Sequence, residues 1–236
     1  MKKNKLFCAS AIALLAGPLL AAGAGLKDDV TSAVQKLNDI GNYTWHSTVT
    51  GAGDPQFNSG SADGETEKGG ITYVQLSFGT NTVEFASKGG IIAITDPSGN
   101  WQALGNLDTN QGPNRLAMAM VRNFQNPDVQ AVKLAAAATD FAEDNGAYTG
   151  VLGEDAAKTL ISLRGGGAGN AATATNLSGS VTFWITSGAL TKYEFKVAGT
   201  VNVDGNDRDI KCDMTVDIKY VNATRVMIPN EARRLL

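Results

Sequence analysis

The segment Ile210–Tyr220, which reads IKCDMTVDIKY, decides the fold. Every second residue in it is apolar or a thiol, and the residues in between are lysine, aspartate or threonine. Because successive side chains of a β-strand point to opposite faces of the sheet, this alternation predicts a strand with one buried face and one solvated face.

Two stretches ahead of this segment repeat the pattern. Apolar residues alternate with polar ones in residues 192–201 and again in residues 181–186. The sequence DGND at residues 204–207 is typical of a hairpin turn. The chain from about residue 179 to residue 220 is therefore predicted to form a three-stranded antiparallel meander that is hydrophobic on one side.

The first residues have the features of a bacterial secretory signal peptide. Three lysines occur among the first five residues, an apolar run follows from Leu6 to Leu20, and small residues at 22–24 form a cleavage site. An uncleaved membrane anchor is the alternative, but it needs a longer apolar run. Cys8 has no apolar run ahead of it and does not fit a lipid-modified cysteine. We therefore expect residues 1–24 to be removed and the product to be periplasmic or secreted, without a later transmembrane segment.

Charge and cysteine content exclude several classes of protein. Removing residues 1–24 takes away three of the 20 basic residues and none of the 23 acidic ones, so the mature chain has a formal charge of −6. Such a balance argues against nucleic acids and anionic membrane surfaces as partners. Cys212 is the one cysteine left, so no intramolecular disulfide forms and the core alone must stabilise the fold. Residues 25–236 are expected to form a single domain.

The N-terminal part of the mature chain is predicted to contain one helix and then strands. An amphipathic helix is expected over Leu26–Ile40 and a strand over Tyr43–Val49, followed by a loop over Gly51–Gly64 that is rich in Gly, Ser and Asp. Three more strands are predicted over Ile71–Phe78, Thr82–Ala86 and Ile91–Thr95, and together with the first they make a second meander of about four strands. The last of these is apolar enough to be covered on both faces.

The middle of the chain is predicted to be helical. One helix begins near Pro113 with an apolar stripe that reaches Phe124, and a second runs from Asp128 to about Ala142. The remaining predicted elements are a strand over Ala147–Leu152, a helix over Glu154–Leu163 and a Gly-rich flexible loop over Arg164–Asn176. Antiparallel strands interrupted by helices indicate an α+β fold, in which a curved antiparallel sheet, a half-open β-barrel, carries helices on its concave face.

Several segments resemble the periplasmic lipoprotein-carrier superfamily, which comprises the LolA and LolB proteins and the LppX and LprG relatives. The strand YTGVL at 148–152 leads into EDAA at 154–157, and VTFWI at 181–185 is followed by GALTKY at 188–193. The ending IPNEA at 228–232 is also similar. With the order of elements and the amphipathic first helix, the resemblance covers nearly the whole mature chain.

The resemblance implies a half-open barrel whose helices close over an apolar cavity. The lipoprotein carriers hold their helical lid with an arginine inside the barrel, but none of the seven arginines of this chain falls on the N-terminal strands. A lipidated cysteine like that of the LppX branch is also missing from the sequence. The resemblance therefore implies a carrier fold without implying that latch or lipoprotein sorting.

Enzyme chemistry finds little support in the sequence. His46 is the single histidine and lies on the polar side of its predicted strand, with no identifiable partner for general-base work. No serine lies in a Gly-x-Ser-x-Gly context. Cys212 alternates with apolar residues, which favours a buried core thiol over a nucleophile or metal ligand. We therefore predict a protein that is not an enzyme.

Other motifs are also interpreted as structural. The acidic groups at residues 63–67 and 204–209 offer oxygen atoms for calcium but lack a calcium-loop spacing, so a solvated loop and a hairpin turn are favoured. The glycines at 165–167 lack the Lys-Ser/Thr ending of a phosphate loop. Glycosylation patterns at Asn42, Asn176 and Asn222 are interpreted as chance matches in a bacterial protein. No cofactor and no metal is predicted.

Large adaptable side chains are the candidates for a ligand-binding cavity. Methionine and aromatic residues line lipid pockets well because they present large, deformable apolar surfaces. An ordinary filled core is the alternative for any one of them. The candidate ligand-binding residues are Trp45, Phe85, Trp101, Met118, Met120 and Phe124.

Together these observations predict an exported, non-catalytic binding protein. It would carry or chaperone a lipid, an acyl chain or a lipoprotein between its sheet and its helices. The alternative is a structural or sensory envelope domain with a filled core that binds another envelope protein.

Overall fold

The computed structural model describes residues 19–52, 59–108, 110, 112–161, 174–203 and 206–236. Several predictions lie wholly or partly outside these ranges. They concern the signal peptide up to residue 18, the centre of the 51–64 loop, most of the Gly-rich loop, and two residues of the 204–207 turn.

Strands make up nearly half of the described chain. They are β1 Tyr43–Ala52, β2 Gly60–Glu67, β3 Ile71–Phe78, β4 Asn81–Lys88, β5 Ile91–Thr95, β6 Trp101–Ala103, β7 Ala138–Asp144, β8 Ala147–Leu152, β9 Thr175–Thr186, β10 Ala189–Val203 and β11 Asn206–Lys219. The helices are α1 Leu19–Ile40, α2 Gly112–Arg122, α3 Pro127–Ala137, α4 Glu154–Ile161 and α5 Asn230–Arg233, with a 3₁₀ turn at Leu104–Asn106.

All these strands belong to one antiparallel sheet of 11 strands. Its order is β6-β5-β4-β3-β2-β1-β11-β10-β9-β8-β7, so two meanders meet where β1 pairs with β11. The two edge strands do not pair with each other, and the sheet stays open. The predicted α+β fold, an open curved antiparallel sheet with helices packed on it, is confirmed.

The C-terminal meander forms as its alternation predicts. Phe195 of β10 lies opposite Met214 of β11, and Tyr193 lies opposite Val216. Of these four residues, three are buried and Met214 is partly buried. The sequence pattern therefore defines both the strands and the face that carries the core.

Helix α1 lies over the C-terminal half of the inner face. It begins at Leu19, ahead of the predicted Leu26, and packs against α3, β7 and β10. Its apolar stripe is buried. Lys27 Nζ donates hydrogen bonds to the carbonyl oxygens of Ala136 (3.1 Å) and Ala138 (2.9 Å), which ties α1 to the end of α3.

The prediction of a loop over Gly51–Gly64 is wrong in its second part. Gly60–Glu67 forms strand β2, which pairs with both β1 and β3. Its inward-facing residues are small, with Ala62, Gly64 and Thr66 buried. A strand without large apolar residues gives no period-2 signal, so tertiary pairing decides this segment.

The prediction of a helix from Asp128 to about Ala142 is wrong in its last turn. Helix α3 ends at Ala137, and Ala138–Asp144 forms the edge strand β7. Asp140 has a positive φ of 51°, which an α-helix does not accommodate, and it lies at a register shift between β7 and β8. Phe141 is buried against Phe183 instead of continuing a helical face.

The C-terminal residues cover part of the outer face. Ala86 and Ala93 on the sheet and Ala232 on α5 form a small second cluster, against which Trp101 and Tyr73 pack. Strand β5 is therefore covered on both faces in its second part, where Ala93 lies in this cluster and Ile94 in the main core, whereas Ile91 at its start is 49% exposed.

Candidate ligand-binding cavity

A cavity lies between the sheet and the connection from α2 to α3. Its volume is about 160 Å³, and residues from β1, β2, β3, β10 and β11 form its sheet side. The half-buried residues Gln125 and Gln130 and the exposed Asn123 stand at its border. The main apolar walls are Trp45, Leu76, Phe78, Met120, Phe124 and Met214.

A glycine on the neighbouring strand allows Trp45 to lie where it does. It lies on the inner face of β1, opposite Gly64 of β2, and a Cβ on Gly64 would lie 2.2 Å from two indole carbons. Glycine at this position therefore leaves the indole room to lie against β2. The small residues Gly60 and Ala62 on the same face leave the space that becomes the cavity.

Phe124 closes the cavity from the helical side. Its ring stacks on Trp45 with centroids 5.8 Å apart and meets Phe85 edge-on at 5.0 Å. Aromatic pairs in these arrangements add about 0.5–1.5 kcal/mol to the burial of their area. The end of α2 is thus held to the sheet by an aromatic trio.

The structure brings together most of the predicted ligand-binding residues. Trp45, Met120 and Phe124 line the cavity, and Phe85 lies behind Phe124. Met118 packs against the main core. Trp101 belongs to the outer cluster, with its ring centroid 6.5 Å from that of Tyr73. Ligand binding by any of the six stays a prediction.

Sequence reasoning did not select three of the apolar wall residues. These are Leu76, Phe78 and Met214. Leu76 and Met214 alternate with polar residues in predicted strands, so the signal for an inward position was present. The position along the strand that faces an opening cannot be read from alternation alone.

The border of the cavity is polar and none of its described lining residues is charged, although the exposed Lys133 approaches it from outside. The Tyr193 hydroxyl donates a 2.7 Å hydrogen bond to Gln130 Oε1, and Lys133 Nζ donates a 3.1 Å bond to Gln125 Oε1. Ser47 is buried in the wall. The site therefore suits an apolar ligand with an uncharged polar part.

Helix α3 is fixed to the sheet beside the cavity by a buried hydroxyl. The Tyr43 hydroxyl donates a 2.8 Å hydrogen bond to Asp128 Oδ1 and accepts one of 3.2 Å from the Asp128 backbone N–H. Burial raises the pKa of Tyr43 far above its ordinary value, and the nearby Asp128 carboxylate raises it further. Tyr43 therefore remains a neutral donor.

The other sequence candidates lie away from the cavity or serve structural contacts. His46 Nδ1 is 2.7 Å from Asp63 Oδ1 at a solvated position on the sheet. Glu65 and Glu67 accept hydrogen bonds from the backbone N–H groups of Met227 and Val226. Over the ranges that the structure describes, no three His, Cys, Asp or Glu side chains come together to hold a metal ion.

Two further observations concern membrane-spanning helices and related sequences. None of the helices in the described part combines the length and the apolarity needed to cross a bilayer. No protein-family model matches the chain, and no curated protein is significantly similar to it.

Comparison with solved structures gives similarities of fold at low sequence identity. LprF from Mycobacterium bovis is similar over 89% of this chain and 98% of its own, with a TM-score of 0.44 and 12% identity. A DUF1329 family protein from Desulfovibrio piger is similar over 81% of this chain and 90% of its own, with a TM-score of 0.28 and 9% identity. No ligand and no residue role is carried over from either.

Proposed function

We propose that this chain is an exported, non-catalytic binding protein that holds the apolar part of a lipid, an acyl chain or a lipidated protein in this cavity. The observation that carries the proposal is an apolar space between sheet and helices, lined by Trp45, Met120 and Phe124. The signal-peptide pattern of residues 1–24 supports a periplasmic or secreted location.

The size of the cavity sets what it holds without rearrangement. A volume of about 160 Å³ is close to that of an engineered apolar cavity that takes up benzene, so it accommodates about six carbon atoms. At about 0.8 kcal/mol per methylene, six groups contribute about 5 kcal/mol, which corresponds to sub-millimolar binding. A longer chain therefore needs more space than the closed form provides.

Helix α2 is the element whose displacement would provide that space. It packs on the core through the buried Ala117 and Val121 and the partly buried Met118 and Met120, and through Phe124 beyond its end. Helix α3, by contrast, packs closely on α1 and is bonded to the sheet through Tyr43. We therefore expect α2 to move outward and α3 to stay when an acyl chain enters.

Tryptophan fluorescence tests the proposal directly. The chain has three tryptophans, and only Trp45 lines this cavity. The methyl ester of a doxyl-labelled stearic acid should quench the wild type and the W101F and W184F variants. Quenching should be lost in W45F, because its remaining indoles lie elsewhere. Equal quenching in W45F would contradict binding at this cavity.

The filled remainder of the inner face favours a second candidate function. Away from the cavity, Phe141 and Phe183 pack with ring centroids 6.4 Å apart. Such a core suits a structural or sensory envelope domain that binds another protein. Native mass spectrometry of protein purified from its own host separates the two functions. Co-purified acyl species support the carrier, whereas their absence together with no lipid-dependent rise in melting temperature supports the domain.

A further inference from the structure

The indole N–H of Trp45 has no acceptor among the described residues. Trp45 is 4% exposed, and its Nε1 atom is buried without a hydrogen-bond partner. An indole nitrogen can only donate, and buried tryptophans usually find an acceptor for it. A buried donor without one weakens the folded state by about tenfold or more in the folding equilibrium constant.

Packing prevents the ring from turning freely to find an acceptor. One side of the indole lies against the backbone of Gly64, where a Cβ would come within 2.5 Å of Nε1. Phe124 stacks on the ring at an interplanar angle of 23°. The neighbouring strand offers no spare backbone, because β2 is paired with β1 on one side and with β3 on the other.

We propose that the ligand of this cavity carries an uncharged oxygen acceptor, such as an ester or amide carbonyl, which accepts a hydrogen bond from Trp45 Nε1. The inference rests on the proposed function, because Trp45 lines the cavity but its Nε1 atom is buried, so a ligand oxygen reaches it only after α2 and Phe124 move outward as proposed for an acyl chain. The described lining carries no cation, so a buried carboxylate or phosphate would lack a counter-charge. Trp45 thereby selects acylated compounds over plain hydrocarbons of the same size.

A bound water molecule is the competing partner for this donor. Thr66 Oγ1 is also buried without a partner, and Thr66 lies two residues beyond Gly64 on the same face of β2, about 7 Å along the strand. A water shared by Trp45 and Thr66 would satisfy both groups without a ligand. The test must therefore separate a water from a ligand oxygen.

Nuclear magnetic resonance of the indole groups makes that separation. The full chain is labelled with ¹⁵N-tryptophan, and the three indole signals are assigned with W45F, W101F and W184F. The probes are methyl decanoate and tridecane, which have the same number of heavy atoms. The ester should move the Trp45 indole proton downfield, as a new hydrogen bond requires, and the alkane should not.

Two results would overturn the inference. In the first, the ester binds but leaves the Trp45 indole proton in place, which refutes the acceptor while the proposed function stands. In the second, the indole proton is hydrogen-bonded before any probe is added and moves upfield in Thr66→Val, which assigns the donor to water. Failure of both probes to bind overturns the proposed function and this inference together.

Affinity gives an independent readout. Trp45→Phe keeps an aromatic ring but removes the donor, so it should weaken methyl decanoate binding by about tenfold more than it weakens tridecane binding. Trp101→Phe is the matched control and should change neither affinity. Equal losses for ester and alkane in Trp45→Phe would mean that the residue contributes shape alone, which contradicts the inference.

Discussion

The inner face of the sheet has two halves that are packed differently. In the half built from β7 to β11, large side chains such as Phe183 and Phe195 fill the space beneath α1 and α4. In the half built from β1 to β4, the small residues of β2 lie beneath α2 and a cavity remains, which reaches Tyr193 and Met214 at the edge of the other half. One sheet therefore combines a filled core with an apolar space.

The difference lies in which strand supplies the large side chains. Strands β9, β10 and β11 each direct large apolar residues inward, and these meet one another. Strand β2 directs only small residues inward, and Trp45 from β1 lies across it. A strand of small residues can thus leave room for a ligand without breaking the sheet.

The largest expected contrast comes from truncating one aromatic residue in each half. Phe183→Ala should lower the free energy of unfolding by about 3–5 kcal/mol, because a fully buried ring leaves a cavity in a filled core. Phe124→Ala should cost less, about 1–2 kcal/mol, because this ring is partly buried and already borders a cavity. Urea denaturation measures both. Equal losses would mean that the two halves are packed alike.

Adding volume should also cost more stability in the filled half than in the half with the cavity. Ala157→Leu places three extra carbons in the filled half, where Ala157 is fully buried on α4, and should cost about 1–3 kcal/mol. Ala62→Leu directs the same atoms into the cavity and should change stability by less than about 1 kcal/mol. The doxyl-ester quenching assay should show that Ala62→Leu no longer binds. Binding that survives Ala62→Leu would place the ligand elsewhere.

Two tyrosines lie at the border between the halves, and removing their hydroxyls should give a smaller difference in stability. Tyr43→Phe leaves the buried Asp128 carboxylate without its donor and should cost about 1–3 kcal/mol. Tyr193→Phe removes a bond to the half-buried amide of Gln130 and should cost about 0.5–1.5 kcal/mol. Both are measured by urea denaturation. A larger loss for Tyr193→Phe would show that α3 is held mainly through Gln130.

Alkaline pH should reveal the raised pKa of Tyr43 through the dependence of the free energy of unfolding on pH. Its pKa is raised in the folded state from an ordinary value of 10.0, so above pH 10 the unfolded chain loses a proton that the folded chain keeps. Stability should therefore fall as the pH rises above about 10, with Tyr43 contributing about 1.4 kcal/mol per pH unit. Tyr43→Phe should reduce the slope by that amount, and Tyr148→Phe serves as the control. An unchanged slope in Tyr43→Phe would mean that Tyr43 ionises in the folded protein.

The filled half could be predicted from the sequence because its signal is local. The segment 210–220 defines its strand, its buried face and its pairing with the preceding strand through alternation alone. Strands β3, β5 and β8 were likewise predicted within a residue of their observed bounds. In these elements local periodicity and tertiary packing agree.

The half with the cavity could be predicted only in part, because its signal is spread over separate strands. Gly64 gives no strand pattern, and its role becomes visible only when Trp45 lies against it. The Phe141 ring lies over Gly150 in a similar way, but there the strand with the glycine, β8, was predicted, and the strand with the aromatic residue, β7, was missed in the filled half. For β2, the apolar side chain that covers the strand belongs to β1, so the sequence of β2 itself carries no hydrophobic signal.

The pairing of β1 with β11 also affects when the protein can fold. Asn42, just before β1, donates a 3.0 Å hydrogen bond to the carbonyl oxygen of Thr224, 182 residues later. Contacts between such distant parts of a chain form slowly, because a long loop must close before they are made. The central strand pair cannot assemble until nearly all of the polypeptide has been released. If the chain is exported as proposed, this delay would keep its central strand pair unassembled during passage across the membrane.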